Sequence, residues 1–148
     1  MKKAVLIIIC LALIFGSTSC GARESADDVL YRICAEAELP SGVTYLRGAE
    51  EGSAGYLDAS VIESLYGKDG AEVFLLLEDY AIYLSSFAEP REVSVFVCYS
   101  ASGAERVAEL CLERIETLKV ILRDTEHFEL IQRADVKING RQVVMKIV

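Results

Sequence analysis

Cysteine and histidine are the residues of this chain best suited to ligate a metal ion or to attack a substrate. The 148 residues include five cysteines but only one histidine, His127, and no two cysteines form a CxxC pair. A zinc site needs about four closely spaced nitrogen or sulfur ligands, which this set does not supply. A lone histidine in a polar connection is expected to be a solvated surface residue rather than a catalytic base. We therefore predict no catalytic residues, no metal site and no non-covalent cofactor.

Carboxylates occur in three adjacent pairs, at residues 27–28, 50–51 and 78–79. Adjacent side chains do not face each other across a substrate, as the acid and base of a glycoside hydrolase must. The chain also lacks tryptophan and any calcium-binding loop of the D-x-D-x-D-G type. We expect these pairs to be solvated. A pocket built from tyrosine and carboxylate side chains is then the enzymatic or small-ligand alternative.

Cys20 has the sequence context of a lipid attachment site. Lys2 and Lys3 are followed by twelve apolar residues, 4–15, and then by small residues at 16–19. An apolar stretch of that length is too short for a membrane-spanning helix, which needs about 20 residues, but it fits an export signal. The segment resembles the signal of bacterial lipoproteins, in which the cysteine that follows the cleavage site is acylated.

We therefore predict a signal peptide at residues 1–19, a lipid covalently attached to Cys20, and a tether at residues 20–25. An ordinary secreted protein and an uncleaved anchor are the alternatives. The lipid would hold a single domain, residues 26–148, at the cell membrane on its extracytoplasmic face. Cleavage would remove two lysines but no acidic residue, which leaves 13 basic and 23 acidic residues and a net charge of −10. This charge argues against nucleic acid partners, and we expect membrane attachment through the acyl chain rather than a basic patch.

Three cysteines remain when the signal and the anchor are set aside: Cys34, Cys98 and Cys111. Each has apolar neighbours, among which a free cysteine packs as a small hydrophobic residue. Buried thiols are the favoured prediction. A disulfide between Cys98 and Cys111 is the alternative.

The remaining pattern predicts the elements that position these side chains. A capped helix begins near Ser25 and ends before Pro40, and a loop-rich region at 41–56 has room for one short strand at 43–46. A short helix follows at 59–66, whereas residues 73–77 fit either a strand or a helical turn. Alternating apolar residues predict strands at 80–87 and 92–99. A capping box at Ser102 and Glu105 then begins a long amphipathic helix to about Arg123, and a hairpin at Asn139-Gly140 follows.

This order predicts an α+β fold. We expect a single antiparallel sheet of about four strands, with helices packed on one face and the long amphipathic helix between two strand pairs. The strands also offer a candidate binding surface. If Ser94 or Phe96 shares the open face that carries Tyr83 and Ser85, these side chains form an aromatic and polar platform for a partner. The alternative is that the tyrosines fill or edge the sheet core.

Several features resemble a family of short bacterial lipoproteins that carry a domain of unknown function: the Leu65-Tyr66-Gly67 helix end, the strand at 80–85, the Ser102-capped helix and the final hairpin. The similarity covers about residues 57–148 and the signal. It implies a small α+β domain at the cell surface and supplies no catalytic residues. Together with the anchor, these features predict a non-enzymatic module that binds a protein, a peptide or another envelope component. The alternative is a small-ligand-binding or enzymatic domain that uses the tyrosine and carboxylate pocket.

Overall fold

The computed structural model describes residues 24–86 and 89–148. The helices within these ranges are α1 (Ala26–Glu36), α2 (Ala59–Tyr66), α3 (Gly70–Phe74), α4 (Ala101–Ile121) and α5 (Phe128–Gln132). The strands are β1 (Gly42–Leu46), β2 (Leu77–Ser85), β3 (Glu92–Cys98), β4 (Asp135–Asn139) and β5 (Gln142–Ile147). The predicted signal peptide, Cys20 and residues 21–23 of the tether lie outside the described residues.

The strands form one open sheet in the order β1-β2-β3-β5-β4, and every neighbouring pair is antiparallel. The predicted α+β class with a single antiparallel sheet is therefore confirmed. The sheet has five strands rather than about four, because the short strand at 43–46 forms as β1 and pairs with β2. Strands β1 and β4 are the two edges.

The prediction that helices pack on one face is wrong, because helices cover both faces. Helix α4 packs over β3, β4 and β5 on one face, here called the α4 face, and α1 packs over β2 and β3 on the other, the α1 face. Strand β3 explains the difference. Val93, Val95 and Val97 are buried on the α1 face, and Phe96 and Cys98 are buried on the α4 face. A strand that is apolar on both sides must be covered on both sides.

Side-chain caps mark the starts of α1, α2 and α4. The Ser25 side chain accepts a hydrogen bond from the Asp28 N–H, and Asp58 caps α2 through the N–H groups of Ser60 and Val61. The long helix begins two residues earlier than predicted, because Ser100 rather than Ser102 is the N-cap and accepts from the Gly103 N–H at 3.0 Å. Each side-chain oxygen satisfies an N–H group that has no partner within its helix.

The ambiguous segment at 73–77 divides between two elements: α3 ends at Phe74, and β2 begins at Leu77. The Asn139-Gly140 hairpin is confirmed, since Asn139 pairs with Gln142 and Gly140 has a φ of 61°. A positive φ at that position favours glycine. Helix α5, which follows the long helix, was not predicted because five residues are too few to show a helical period.

Candidate functional site

A groove of about 610 Å³ opens between the sheet and two helices. Its walls come from β1 and the end of β2, from the C-terminal turn of α2, and from the second half of α4. The lining is mainly aliphatic and includes Val43, Leu65, Leu84, Leu118, Ile121 and Leu122. This volume lies within the range of about 300–1,000 Å³ that is typical of small-molecule and peptide side-chain sites. We call this feature the groove.

The groove exists because α4 covers the sheet unevenly. The apolar stripe of α4 is buried as far as Ile115, but Leu118 and Leu122 are only partly buried. At the mouth, Ile121 is 65% exposed and Val43 is 43% exposed. Single exposed apolar residues are ordinary, but several around one concavity are typical of a binding surface.

An ion pair between Arg114 and Glu92 forms the floor of the groove. The Nε and Nη2 atoms of Arg114 both lie 2.7 Å from the Glu92 Oε2 atom, and the side chains are only 12% and 3% exposed. Nη1 of Arg114 donates to the Leu65 carbonyl at 2.9 Å, which ties α4 to the end of α2. Charge-assisted bonds of this kind are shorter and stronger than neutral ones. The pair carries no net charge, so the floor is polar but neutral.

Tyr66 and Ser94 complete a buried polar network around Glu92. The Tyr66 hydroxyl donates to Glu92 Oε1 at 3.3 Å, and the Ser94 hydroxyl contacts the same oxygen at 3.2 Å. The Arg114 guanidinium also lies over the Tyr66 ring, 5.7 Å from its centroid, as in a cation–π contact. Among the described residues, every buried side-chain nitrogen and oxygen has a hydrogen-bond partner.

This network holds Glu92 as an ion-pair partner rather than presenting it as a free base. Both carboxylate oxygens accept hydrogen bonds from side chains of the fold. Burial, and after it the neighbouring Glu92 charge, holds the pKa of the Tyr66 hydroxyl well above its usual range, so Tyr66 stays a neutral donor. The arrangement rigidifies the floor and joins α2, β3 and α4.

The predicted aromatic and polar platform does not form, because its residues lie on opposite faces of the sheet. Tyr83 faces α1, is buried, and donates its hydroxyl hydrogen to the Pro40 carbonyl. Ser94 and Phe96 are buried on the α4 face. Ser85 is the one member of the four that lines the groove. The register explains the separation, since Tyr83 pairs with Val93 and not with Ser94.

Cys98 and Cys111 are buried free thiols, so the favoured prediction holds and the alternative disulfide is absent. Burial raises the pKa of Cys111 far above its ordinary value, with the Glu92 charge adding to the effect. Cys34 is also a free thiol and is half-buried beside the α1-face cluster.

A second, shallower cavity of about 320 Å³ comes closest in its lining residues to the predicted tyrosine and carboxylate pocket. It is lined by Asp27, Asp79, Tyr80 and Arg47 among others. The Asp79 oxygens accept from the backbone N–H groups of Ala26 and Tyr80, at 3.0 and 2.9 Å. Asp79 therefore serves to join the start of α1 to β2.

The single histidine, His127, is not part of a metal site in the described part of the chain. Its Nε2 atom lies 3.8 Å from the Oε1 atom of Glu126, and the described residues contain no group of three or more potential metal ligands.

The groove and its floor were missed at the sequence level, although two signals were present. Arg114 follows Cys111 by three residues and precedes Leu118 by four, so it stands in the buried stripe of a helix where a charge is unexpected. Glu92, Ser94 and Phe96 are spaced two residues apart along the strand, which puts Glu92 on the same face as the other two, the α4 face. A charged residue in each of two apolar patterns is the sequence signature of a buried ion pair.

No protein-family model matches this chain, and neither the curated proteins nor the solved structures include a match. Among the described residues, no helix has both the length and the apolar character needed to cross a bilayer.

Proposed function

We propose that this protein is a lipid-anchored, extracytoplasmic binding module that holds an apolar part of an envelope partner in the groove. The acylated residue is Cys20, and the proposal groups the chain with the short bacterial lipoproteins that its sequence resembles. The observation that carries the binding role is the aliphatic groove, whose mouth leaves Ile121 and Val43 substantially exposed.

The position of the groove relative to the tether supports this role. The Ala26 N–H donates to Asp79, so the chain enters the fold near the start of β2, whereas Leu84 and Ser85 line the groove at the end of that strand. Six residues of strand separate these ends by roughly 20 Å. The six residues from Cys20 to Ala26 span at most about 20 Å. An anchor at Cys20 would thus hold one end of the domain close to the bilayer and leave the groove at the other.

The hydrogen bonds of two acidic side chains support a non-enzymatic role. Of the acids that line the two cavities, Glu92 and Asp79 each accept hydrogen bonds at both oxygens. General acid–base catalysis needs a carboxyl that reaches the substrate. An apolar groove with a neutral floor instead suits recognition of uncharged surface.

Radiolabelled fatty-acid incorporation tests the anchor. The wild-type protein should take up label and fractionate with membranes, whereas the Cys20→Ala variant should remain unlabelled and leave the membrane fraction. A Cys34→Ala variant is the matched control, because it removes a cysteine that is not predicted to be acylated. Equal labelling of wild type and Cys20→Ala would refute the anchor.

Site-specific photo-crosslinking in intact cells tests the groove. Ile121 lines the groove and is 65% exposed, whereas its neighbour Val120 is 66% exposed and lies outside the lining. A photoreactive amino acid at 121 should give a discrete cross-linked product that is absent when the same amino acid replaces Val120. Identical products at the two positions would show that the groove is not the binding surface.

A further inference from the structure

Strand β1 leaves part of its outer edge without a hydrogen-bonding partner. The Arg47 N–H bonds to Tyr80 of β2, whereas the Leu46 N–H points the other way and bonds to Gly55 of the following loop. Because main-chain groups alternate in direction along a strand, the backbone N–H and C=O groups of Thr44 and Gly42 also point away from β2. No backbone hydrogen bond from the rest of the described chain reaches Gly42 or the Thr44 N–H on that side, whereas Gly55 of the loop lies against the Thr44 carbonyl.

The other edge of the sheet differs in its chemistry. Strand β4 carries Asp135 and Lys137, which form an ion pair at 3.1 Å along the edge. Charged side chains on an edge oppose the addition of another strand. Strand β1, with the sequence Gly-Val-Thr-Tyr-Leu, contains no charged residue and no proline. Of the two edges, β1 is therefore the one suited to accept a further strand.

The open part of this edge borders the groove. Val43 pairs with Leu84, and both side chains line the groove on the α4 face. Side chains directly opposite each other in adjacent strands lie on the same face of a sheet. A strand added outside β1 would thus direct every second side chain to the groove side, towards Leu118 and Ile121 of α4.

We propose that the occupant of the groove is an extended peptide segment of a partner protein, which adds to the sheet as a sixth strand beside β1. This inference rests on the proposed function and specifies its ligand. Main-chain hydrogen bonds to Gly42 and to the Thr44 N–H supply binding that does not depend on peptide sequence, and the groove selects apolar side chains at alternate positions. Because the floor carries no net charge, we expect the groove to select peptides whose central side chains are uncharged.

Selection from a random dodecapeptide display library on the purified full-length protein tests this inference. Enriched peptides should share uncharged, apolar residues at every second position. The strongest is then synthesised with a fluorophore, and its dissociation constant is measured by fluorescence polarisation. N-methylation of the amides that face β1 should weaken binding about tenfold or more, because each lost hydrogen bond is worth a severalfold change. N-methylation of the amides that face away should change it less than about threefold.

Protein variants provide the second arm. Thr44→Pro removes an outward N–H without removing a bond to β2, and it should weaken binding about tenfold, whereas Thr44→Val keeps the N–H and should bind like wild type. Ile121→Glu should abolish binding and Val120→Glu should not. Circular dichroism checks that each variant folds. If Thr44→Pro does not fold, the N-methylated peptides decide the question alone.

The outcomes separate the two proposals. Loss of binding in Ile121→Glu, combined with insensitivity to N-methylation and to Thr44→Pro, would overturn strand addition but leave the groove as a binding site. Failure to enrich any peptide, or equal effects of the changes at 120 and 121, would count against both proposals. Concentration-dependent self-association that Thr44→Pro abolishes would identify a second copy of this chain as the occupant, and would overturn the peptide assignment.

Discussion

The two faces of the sheet use the same strand, β3, in different ways. On the α1 face, Val93, Val95 and Val97 pack against α1 in an apolar cluster that contains no charged side chain. On the α4 face, Glu92 and Ser94 alternate with them and enter a polar network beneath the groove. We infer that the α1 face mainly stabilises the fold, whereas the α4 face keeps a buried polar network because it shapes the groove floor.

The Arg114→Ala substitution should have the largest effect on stability. It removes the only cation bonded to Glu92 in the described part of the chain and leaves that carboxylate buried. Breaking a buried ion pair in this way costs about 3–5 kcal/mol. Chemical denaturation of wild type and variant measures the change in the free energy of unfolding.

A double variant separates loss of charge from loss of packing. Glu92→Leu combined with Arg114→Leu removes both charges, and such replacements are often nearly neutral for stability. The double variant should therefore be more stable than Arg114→Ala, while the groove loses its rigid floor. If Arg114→Ala changed the free energy of unfolding by less than about 1 kcal/mol, the pair would not hold the floor together.

Leu30→Ala tests the α1 face. Leu30 is fully buried in the α1-face cluster, so its truncation should cost about 2–5 kcal/mol. Because Leu30 lies on the opposite face from the groove, the binding of a groove ligand to the folded variant should match that of wild type. Unfolding by urea gives the stability, and peptide titration gives the affinity. A large loss of affinity in folded Leu30→Ala protein would show that the two faces are coupled.

Alkaline pH should lower the stability of the folded protein, with the largest contributions from two groups on the α4 face. Burial raises the pKa of Cys111 above 9.0 and that of Tyr66 above 10.0, so both groups stay neutral in the folded protein after they have ionised in the unfolded chain. The contribution of these groups to the free energy of unfolding is thus fully present below about pH 9. It is lost as the pH rises, by up to about 1.4 kcal/mol per pH unit for each group. Urea denaturation from pH 8 to pH 11 measures this slope.

The Cys111→Ala variant is the control for the pH experiment. It removes one of the two acids whose pKa is raised most, so its stability should fall less steeply above pH 9 than that of wild type. Equal slopes in the two proteins would mean that Cys111 does not contribute to the alkaline loss. Truncation of Cys111 also leaves a small cavity, which lowers the stability of the variant at every pH without changing the slope.

Elements that depend on local chemistry could be predicted from the sequence. The short helix at 59–66 and the Asn139-Gly140 hairpin form as expected, because a capping residue or a turn glycine lies within the element itself. The start of α4 shows the limit of prediction from local sequence. Ser100 and Ser102 are both able to cap, and the local sequence does not decide between them, whereas in the structure Ser100 is the N-cap.

The site depends on contacts distant in sequence, and local pattern can mark the residues involved without showing which of them meet. Glu92 and Arg114 are 22 residues apart, and Leu65 is 49 residues from Arg114. Alternation correctly separates the two sides of each strand, but it does not say which side of β2 shares a face with which side of β3. The pairing of Tyr83 with Val93 settles that question, and it divides the predicted platform between two faces.

The smallest predicted effect concerns the two neighbouring residues at the end of α4. Ile121 and Val120 have nearly the same exposure, 65% and 66%, so replacing either with glutamate should change the free energy of unfolding by less than about 0.5 kcal/mol. Only Ile121 lines the groove, so only Ile121→Glu should reduce ligand binding. Thermal denaturation measures the first quantity and fluorescence polarisation measures the second. If Ile121→Glu were destabilised by 2 kcal/mol or more, on the scale of a buried residue, that side chain would belong to the core of the α4 face, and its effect on binding would no longer report on the groove mouth.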